Sequence, residues 1–182
     1  MNHAIYLISP GTDAMSPDLA RETLDQLWDM LWDDGLVSTV FYEGRVTNAA
    51  AFAALMLSPL TACYAAFGTG SRPAGLAWLN AQEGKAARLH FCFFRHARRH
   101  ALSLGRLFTR FLLTARDEGG ESYLETLYAG VPQSNRPALS LARKLGFRTM
   151  GVLPGAAYIA EADRLEGLVL SRLTREEIDN DQ

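Results

Sequence analysis

Asn135-Arg136-Pro137-Ala138-Leu139-Ser140-Leu141-Ala142-Arg143-Lys144-Leu145-Gly146-Phe147 is the stretch whose reading decides the fold. Asn135 is a good helix N-cap, and Pro137 is tolerated in a first turn. Arg143 and Lys144 complement the negative end of a helix that Gly146 then terminates. The stretch therefore reads as an amphipathic helix over Arg136–Leu145. Just before it, Ser122–Val131 alternates as a strand. Just after it, Phe147–Leu153 and Gly167–Leu173 are β-like, are separated by a loop, and suit a closing pair.

Working outward, the upstream neighbour is a long helix over roughly Leu102–Asp117, stopped by Gly119-Gly120. Leu104, Phe108, Phe111, Leu112 and Ala115 share its apolar face. Three strand-like runs precede it: Thr61–Phe67, Gly75–Ala81 and Ala87–Phe94. Gly68-Thr69-Gly70-Ser71 and Gln82-Glu83-Gly84-Lys85 read as hairpin connections between them. Farther back, a helix fits Asn48–Leu57. Ser16-Pro17-Asp18 starts another, with Leu24, Leu27, Trp28 and Leu31 at helical spacing and Gly35 as its stop. Ala4–Ser9 reads as a short strand and Val37–Tyr42 as extended chain. Acidic Glu176–Gln182 reads as a frayed tail. This order predicts an α/β (α+β) chain, a single domain with a mixed, mostly antiparallel twisted sheet and helices on both faces. Residues 1–60 would be an N-terminal helical part, and 61–175 the sheet and its helices.

The segment quoted first resembles the late strand–helix segment of GNAT acetyltransferases, written N-x-x-A-x-x-L-Y-x-x-x-G-F. Asn135, Ala138, Leu141, Gly146 and Phe147 fill that pattern with its spacing, and Phe147-Arg-Thr-Met-Gly151 resembles its continuation into the next strand. The likeness spans roughly Pro73–Leu173, and a phage- or prophage-associated branch looks nearest. It implies acetyl-CoA, or another acyl-CoA, as cofactor. The family's cofactor loop, Q/R-x-x-G-x-G/A, would fall on His100-Ala-Leu-Ser103-Leu104-Gly105, with Ser103 in place of the first Gly and His100 in place of Arg or Gln. Backbone N–H groups and a helix N-terminus cradle a pyrophosphate in such a loop. Arg98, Arg99 and Arg106 would add forked donors for phosphate. A bulged strand at Phe93-Phe94-Arg95 would grip the pantetheine arm and supply an oxyanion donor, and Asn135 would position cofactor or helix. The implied reaction is direct attack of an amine on the thioester. The position of the family's usual acid, a Tyr, is Ala142 here. Tyr128 is its candidate substitute, and His90 and Glu125 are candidate bases. The acceptor implied is a small-molecule or peptide amine, and the first 60 residues would form a lid or a homodimer surface.

Composition sets the remaining limits. The chain has 182 residues and net charge −2, so neither nucleic acid nor anionic membrane is an expected partner. Sixteen of its eighteen basic residues are Arg, and seven of these lie within Arg88–Arg116. A neutral chain with one basic segment suits a compact anion. That segment interleaves Arg with Phe108 and Phe111, as a nucleic-acid platform would, but their spacing puts both rings on the core face. His90, Cys92, His96 and His100 are metal-ligand types, yet no second Cys or close carboxylate completes a pattern, so no metal is expected. Two cysteines are too few for a disulfide framework, and no signal peptide is read, so the expected location is cytoplasmic. The uncharged run between Arg45 and Arg72 is cut by Ser58-Pro59 and reads as helix then strand, not as a membrane span. The competing function is a catalytically silent GNAT-like module that binds acyl-CoA or a partner.

Overall fold

A computed structural model describes residues 4–8, 15–68 and 72–179. Seven strands, Ala4–Ile8 (β1), Ala62–Phe67 (β2), Pro73–Glu83 (β3), Ala86–Phe93 (β4), Thr126–Pro132 (β5), Arg148–Ile159 (β6) and Arg164–Thr174 (β7), build one sheet. Their order is β1-β2-β3-β4-β5-β7-β6. Every pairing is antiparallel except that between β4 and β5, where the chain crosses over through a helix.

Side chains alternate across the sheet, and the helices cover both faces. On one face Pro17–Asp33 (α1) and Ala49–Met56 (α3), with the single turn Val37–Val40 (α2) between them, pack on Leu76, Trp78 and Cys92. On the other, Ala101–Thr114 (α4) and Arg136–Lys144 (α5) pack on Ala77, Leu79, Leu89 and Phe93. Ser16 caps α1 through Leu19 N–H at 3.2 Å, and Asn48 caps α3 through Ala51 N–H at 2.9 Å. Gly105 lies in α4 where a Cβ would come within 2.8 Å of Leu145, so its bareness lets α4 and α5 approach.

Several expectations from the sequence are corrected. Val37–Tyr42 is not extended. Gly35 at φ +65 turns the chain back after α1, and Val40 N–H and Phe41 N–H bond to the carbonyls of Leu36 and Val37. With no neighbouring strand to pair, the apolar run coils and packs on the α1–α3 core. The strand expected from Ser122 starts only at Thr126. Glu125 and Thr126 both donate to the Lys85 carbonyl, and Ser122 makes one isolated bridge, to Arg116. Helix α4 stops at Thr114, ahead of Gly119-Gly120, because Ala115 is already extended at φ −61, ψ 136. Phe108 is fully buried, but Phe111 is not in the core: it is 39% exposed and sets its edge against Tyr64.

The terminal strand pair is longer than its sequence signal and closes on the turn Ala160–Ala162. Its register shifts between Leu153 and Ala157, where Pro154 lacks a ladder donor. The tail is not frayed as far as Asp179, since Arg175–Asp179 (α6) is helical. Glu177 accepts from Arg172 and the Thr174 N–H and pairs with Arg148. Burial raises the Glu177 pKa, but these partners outweigh it and hold the carboxyl below its usual range. Ser9, residues 69–71 of the first hairpin connection and residues 180–182 of the tail lie outside the described residues.

Candidate functional site

β4 and β5 pair only over Ala86–Arg88 and Thr126–Tyr128, whereas β4 stays paired to β3 as far as Phe93 and β5 to β7 as far as Pro132. Beyond Arg88 the two parallel strands therefore diverge. Each turns one unpaired backbone edge toward the gap, 89–93 on one side and 129–132 on the other. A strand edge offers a row of N–H donors and C=O acceptors, as an extended amide-bearing chain requires. The divergence takes the place of the bulge expected at Phe93–Arg95. No register shift falls there: Phe93 pairs Gly75, and Phe94 N–H continues to the Ala74 carbonyl at 3.2 Å. Phe93 is buried against Phe108, and Phe94 is fully buried in the opposite core.

At the open end of the gap β4 runs into the 3₁₀ segment Arg95–His100 and directly on into α4. The junction expected at His100–Gly105 is thus displaced toward the N-terminus. Ser103, Leu104 and Gly105 are already helical, Leu104 and Gly105 are buried, and the Ser103 hydroxyl donates to the His100 carbonyl at 2.9 Å. Ala97 and Ala101 N–H bond to the carbonyls of Phe94 and Arg98. Arg95 N–H donates to the Asp34 carboxylate at 2.5 Å, so the end of α1 caps this segment. The backbone cradle is therefore spent on internal partners. Most of the charge is not: Arg98, Arg99 and Arg106 are exposed around the junction, while exposed Arg95 also donates through Nη2 to the Asp34 carbonyl at 3.4 Å. Arg99 also contacts His100, Nε to Nε2, at 3.0 Å. At the far side of the gap Asn135 caps α5, its Oδ1 accepting from Ala138 N–H at 3.2 Å. Ala142 is buried in the core beneath α4 and α5.

His90 and Tyr128 project from the α1–α3 face on adjoining strands, and Glu125 stands apart from both. The His90 ring stacks on Trp78 with centroids 4.7 Å apart and planes at 2°, and Nε2 meets Asn80 Oδ1 at 3.1 Å. Burial, with the nearby Arg88 charge, pulls its pKa down to about 3. Tyr128 donates its hydroxyl to the Ala81 carbonyl at 2.9 Å, at the β3 bulge where Ala81 has φ +46. Glu125 is level with Lys85, about 16 Å along the sheet from His90 at ~3.3 Å per residue. It pairs with Arg175 at 3.4 Å, and Arg175 also donates to Ser122.

Two residues that the sequence reading missed stand where the strands part. Arg88 is the last β4 residue paired to β5, and its Nη2 lies over Gly130, where a Cβ would come within 2.7 Å. The Tyr42 hydroxyl lies within reach of its charge: burial raises the Tyr42 pKa against the opposing pull of Arg88. Tyr42 is in addition part of the wall of a cavity of about 690 Å³ on this face, formed by the end of α1, α2 and the turn between β6 and β7. Only the single Gly at 130 in the period-two strand pattern hinted at this contact. Among the described residues, no three His, Cys, Asp or Glu side chains gather to hold a metal ion, and no helix is long and apolar enough to cross a membrane.

No protein-family model and no curated protein sequence matches the chain. Solved structures do. The spermidine N-acetyltransferase of Vibrio cholerae with CoA and spermine superposes with TM-score 0.72 at 12% identity, covering 98% of both chains. A dodecameric form of that enzyme gives 0.71 at 13% identity, covering 99% of this chain and 98% of that one. RimL, a ribosomal L7/L12 alpha-N-protein acetyltransferase in complex with CoA, gives 0.64 at 15% identity over 85% and 89%. The fold is thus that of these acetyltransferases, as the Asn135–Phe147 stretch implied.

Proposed function

We propose that this chain, built on the acetyltransferase fold, is an N-acyltransferase that moves a short acyl group, acetyl the simplest, from acyl-CoA to an amine. The observation that carries the reading is the divergence of β4 from β5, with arginines around its open end. The residues fit the group. The edges 89–93 and 129–132 suit the amides of the pantetheine arm, and Arg98, Arg99 and Arg106 suit the phosphates. Arg95, His100 and the Ser103–Gly105 turn belong to the same junction, and Asn135 orients α5 beside it. The thioester supplies an activated acyl carbon when bound. The gap would hold that thioester between its two strand edges, positioned for an incoming amine.

The acid–base candidates are proposed in an order set by position. Tyr128 comes first, level with Arg88 where the strands part. His90, neutral above about pH 3, serves as an uncharged hydrogen-bonding group. Glu125 comes last, being distant and ion-paired. A thiol of ordinary pKa, ~8.5 for cysteine, leaves as thiolate without a dedicated acid, so Ala142 does not preclude turnover.

A second reading, an acyl-CoA-binding module without catalysis, is favoured by the Asp34 carboxylate seated where a phosphate would meet the helix start. The melting temperature with and without acetyl-CoA, followed by thiol release, separates the two. Acetyl-CoA at a hundredfold over its Kd should add about 2.7 kcal/mol, a rise of roughly 5–10 °C that an Arg98→Ala, Arg99→Ala, Arg106→Ala triple variant loses. A shift without thiol release for any amine leaves the module. No shift at millimolar acetyl-CoA sinks both readings.

A further inference from the structure

The wall of the cavity beside Arg88 limits what can be acylated. Trp32, Val37, Phe41, Tyr42 and Val46 make that wall apolar and aromatic, and Glu161 is the one charged residue among the described residues that line it. Its volume of about 690 Å³ is that of a site for a small organic molecule. Phe41 stacks on Trp78 at 5.7 Å, and Trp78 on His90 of β4, so a continuous aromatic layer fixes the wall to the sheet. The opposite wall is fixed as firmly. Ala160 N–H donates to the Tyr42 carbonyl at 2.9 Å, and Gly44, at φ +72, leaves only 2.8 Å between an added Cβ and Ala160. This contact holds Glu161, the next residue, at the cavity.

We propose that the acceptor is a primary monoamine with an apolar, preferably aromatic, body, bound in this cavity. The inference rests on the acyltransferase reading. One carboxylate matches one ammonium. A polyamine would place its further ammonium groups against Trp32, Val37 and Phe41, away from Glu161, and Glu43, beside Tyr42, is already paired with Arg45 at 3.2 Å. Glu161 attracts the cationic amine at the rim, the aromatic wall takes its body, and Tyr42 leads to Arg88 and the parting of the strands. There the guanidinium charge disfavours the ammonium form and so favours the neutral nucleophile. The nitrogen then forms the N–C bond as the thioester C–S bond breaks. The nitrogen gives one proton to water and the departing thiolate takes one up, leaving an amide and free CoA thiol.

The test is thiol release from acetyl-CoA by the full chain with 2-phenylethylamine, hexylamine, putrescine, spermidine and a short peptide with a free N-terminus. The expected result is kcat/KM for 2-phenylethylamine at least about tenfold above spermidine and the peptide. Trp32→Ala should raise the KM for 2-phenylethylamine by about tenfold while the acetyl-CoA melting shift stays. Trp32 is 64% exposed, so that variant folds. Glu161→Gln, also exposed, should raise that KM and leave kcat. Preference for spermidine or the peptide overturns the proposal. So does turnover of no amine despite a melting shift with acetyl-CoA, which spares cofactor binding. Absence of the shift itself overturns the acyltransferase reading and the acceptor with it.

Discussion

His90 shows how far one residue's chemistry is set by its neighbours. Its ring is neutral in the fold down to about pH 3, whereas in the unfolded chain it titrates near ~6.5. Between those values the unfolded state binds the extra proton. Stability is therefore complete above the upper value and falls as pH drops through the window, at a limit of ~1.4 kcal/mol per pH unit. His90→Gln keeps a donor for Asn80 and does not titrate, so its urea midpoints from pH 6.5 to 4 should follow a flatter slope than the parent's. Equal slopes would mean that the ring protonates freely in place. A histidine in an alternating strand could be read as a base from the sequence. The stack on Trp78 that makes it a fixed, neutral plate joins residues of two strands, and only their register brings the rings together.

Legibility rises at the scale of elements, and unevenly. Helix α5 was readable because its information is local: a cap, a proline in the first turn, and a glycine at φ +91 after the last. Asn135→Ala should cost about 1 kcal/mol, and a chain of this length should then melt roughly 2–4 °C lower. Asn135→Asp should recover the loss, and neither should alter the shift with acetyl-CoA if Asn135 acts only as a cap. A diminished shift in the alanine variant alone would assign it a cofactor contact. Val37–Tyr42 was misread because a short apolar run has no period long enough to separate strand from coil. The start of the long helix was displaced because Arg95–His100 carries no cap of its own. Its cap is Asp34, 61 residues earlier in the chain.

For the whole molecule the decisive feature is the sheet's parting into β1-β2-β3-β4 and β5-β7-β6, joined at three residue pairs. Sequence order predicted the three-strand meander and the terminal strand pair but not where the sheet parts, because strand pairing depends on how the crossover helix seats, and that helix packs closely on Leu145 at Gly105. Hydrogen exchange tests the gap directly. Amides of 89–93 that face it should slow by about tenfold or more in saturating acetyl-CoA, while those bonded to β3 stay unchanged. Uniform slowing across β4 would mean global stabilisation with no ligand in the gap.

The contact between Gly44 and Ala160 has a consequence for descent. With the Ala160 N–H bond to the Tyr42 carbonyl beside it, it joins two surface turns through a backbone bond and a single methyl group, so the cavity keeps its shape when the exposed side chains around it change. Trp32 and Glu161, both exposed, can then be exchanged one by one without disturbing the sheet, since exposed positions tolerate replacement at little cost in stability, whereas Val46 belongs to the core. On the proposed function, a lineage carrying this scaffold can change its acceptor by drift in a few exposed wall residues, while the parting of the strands passes on unaltered.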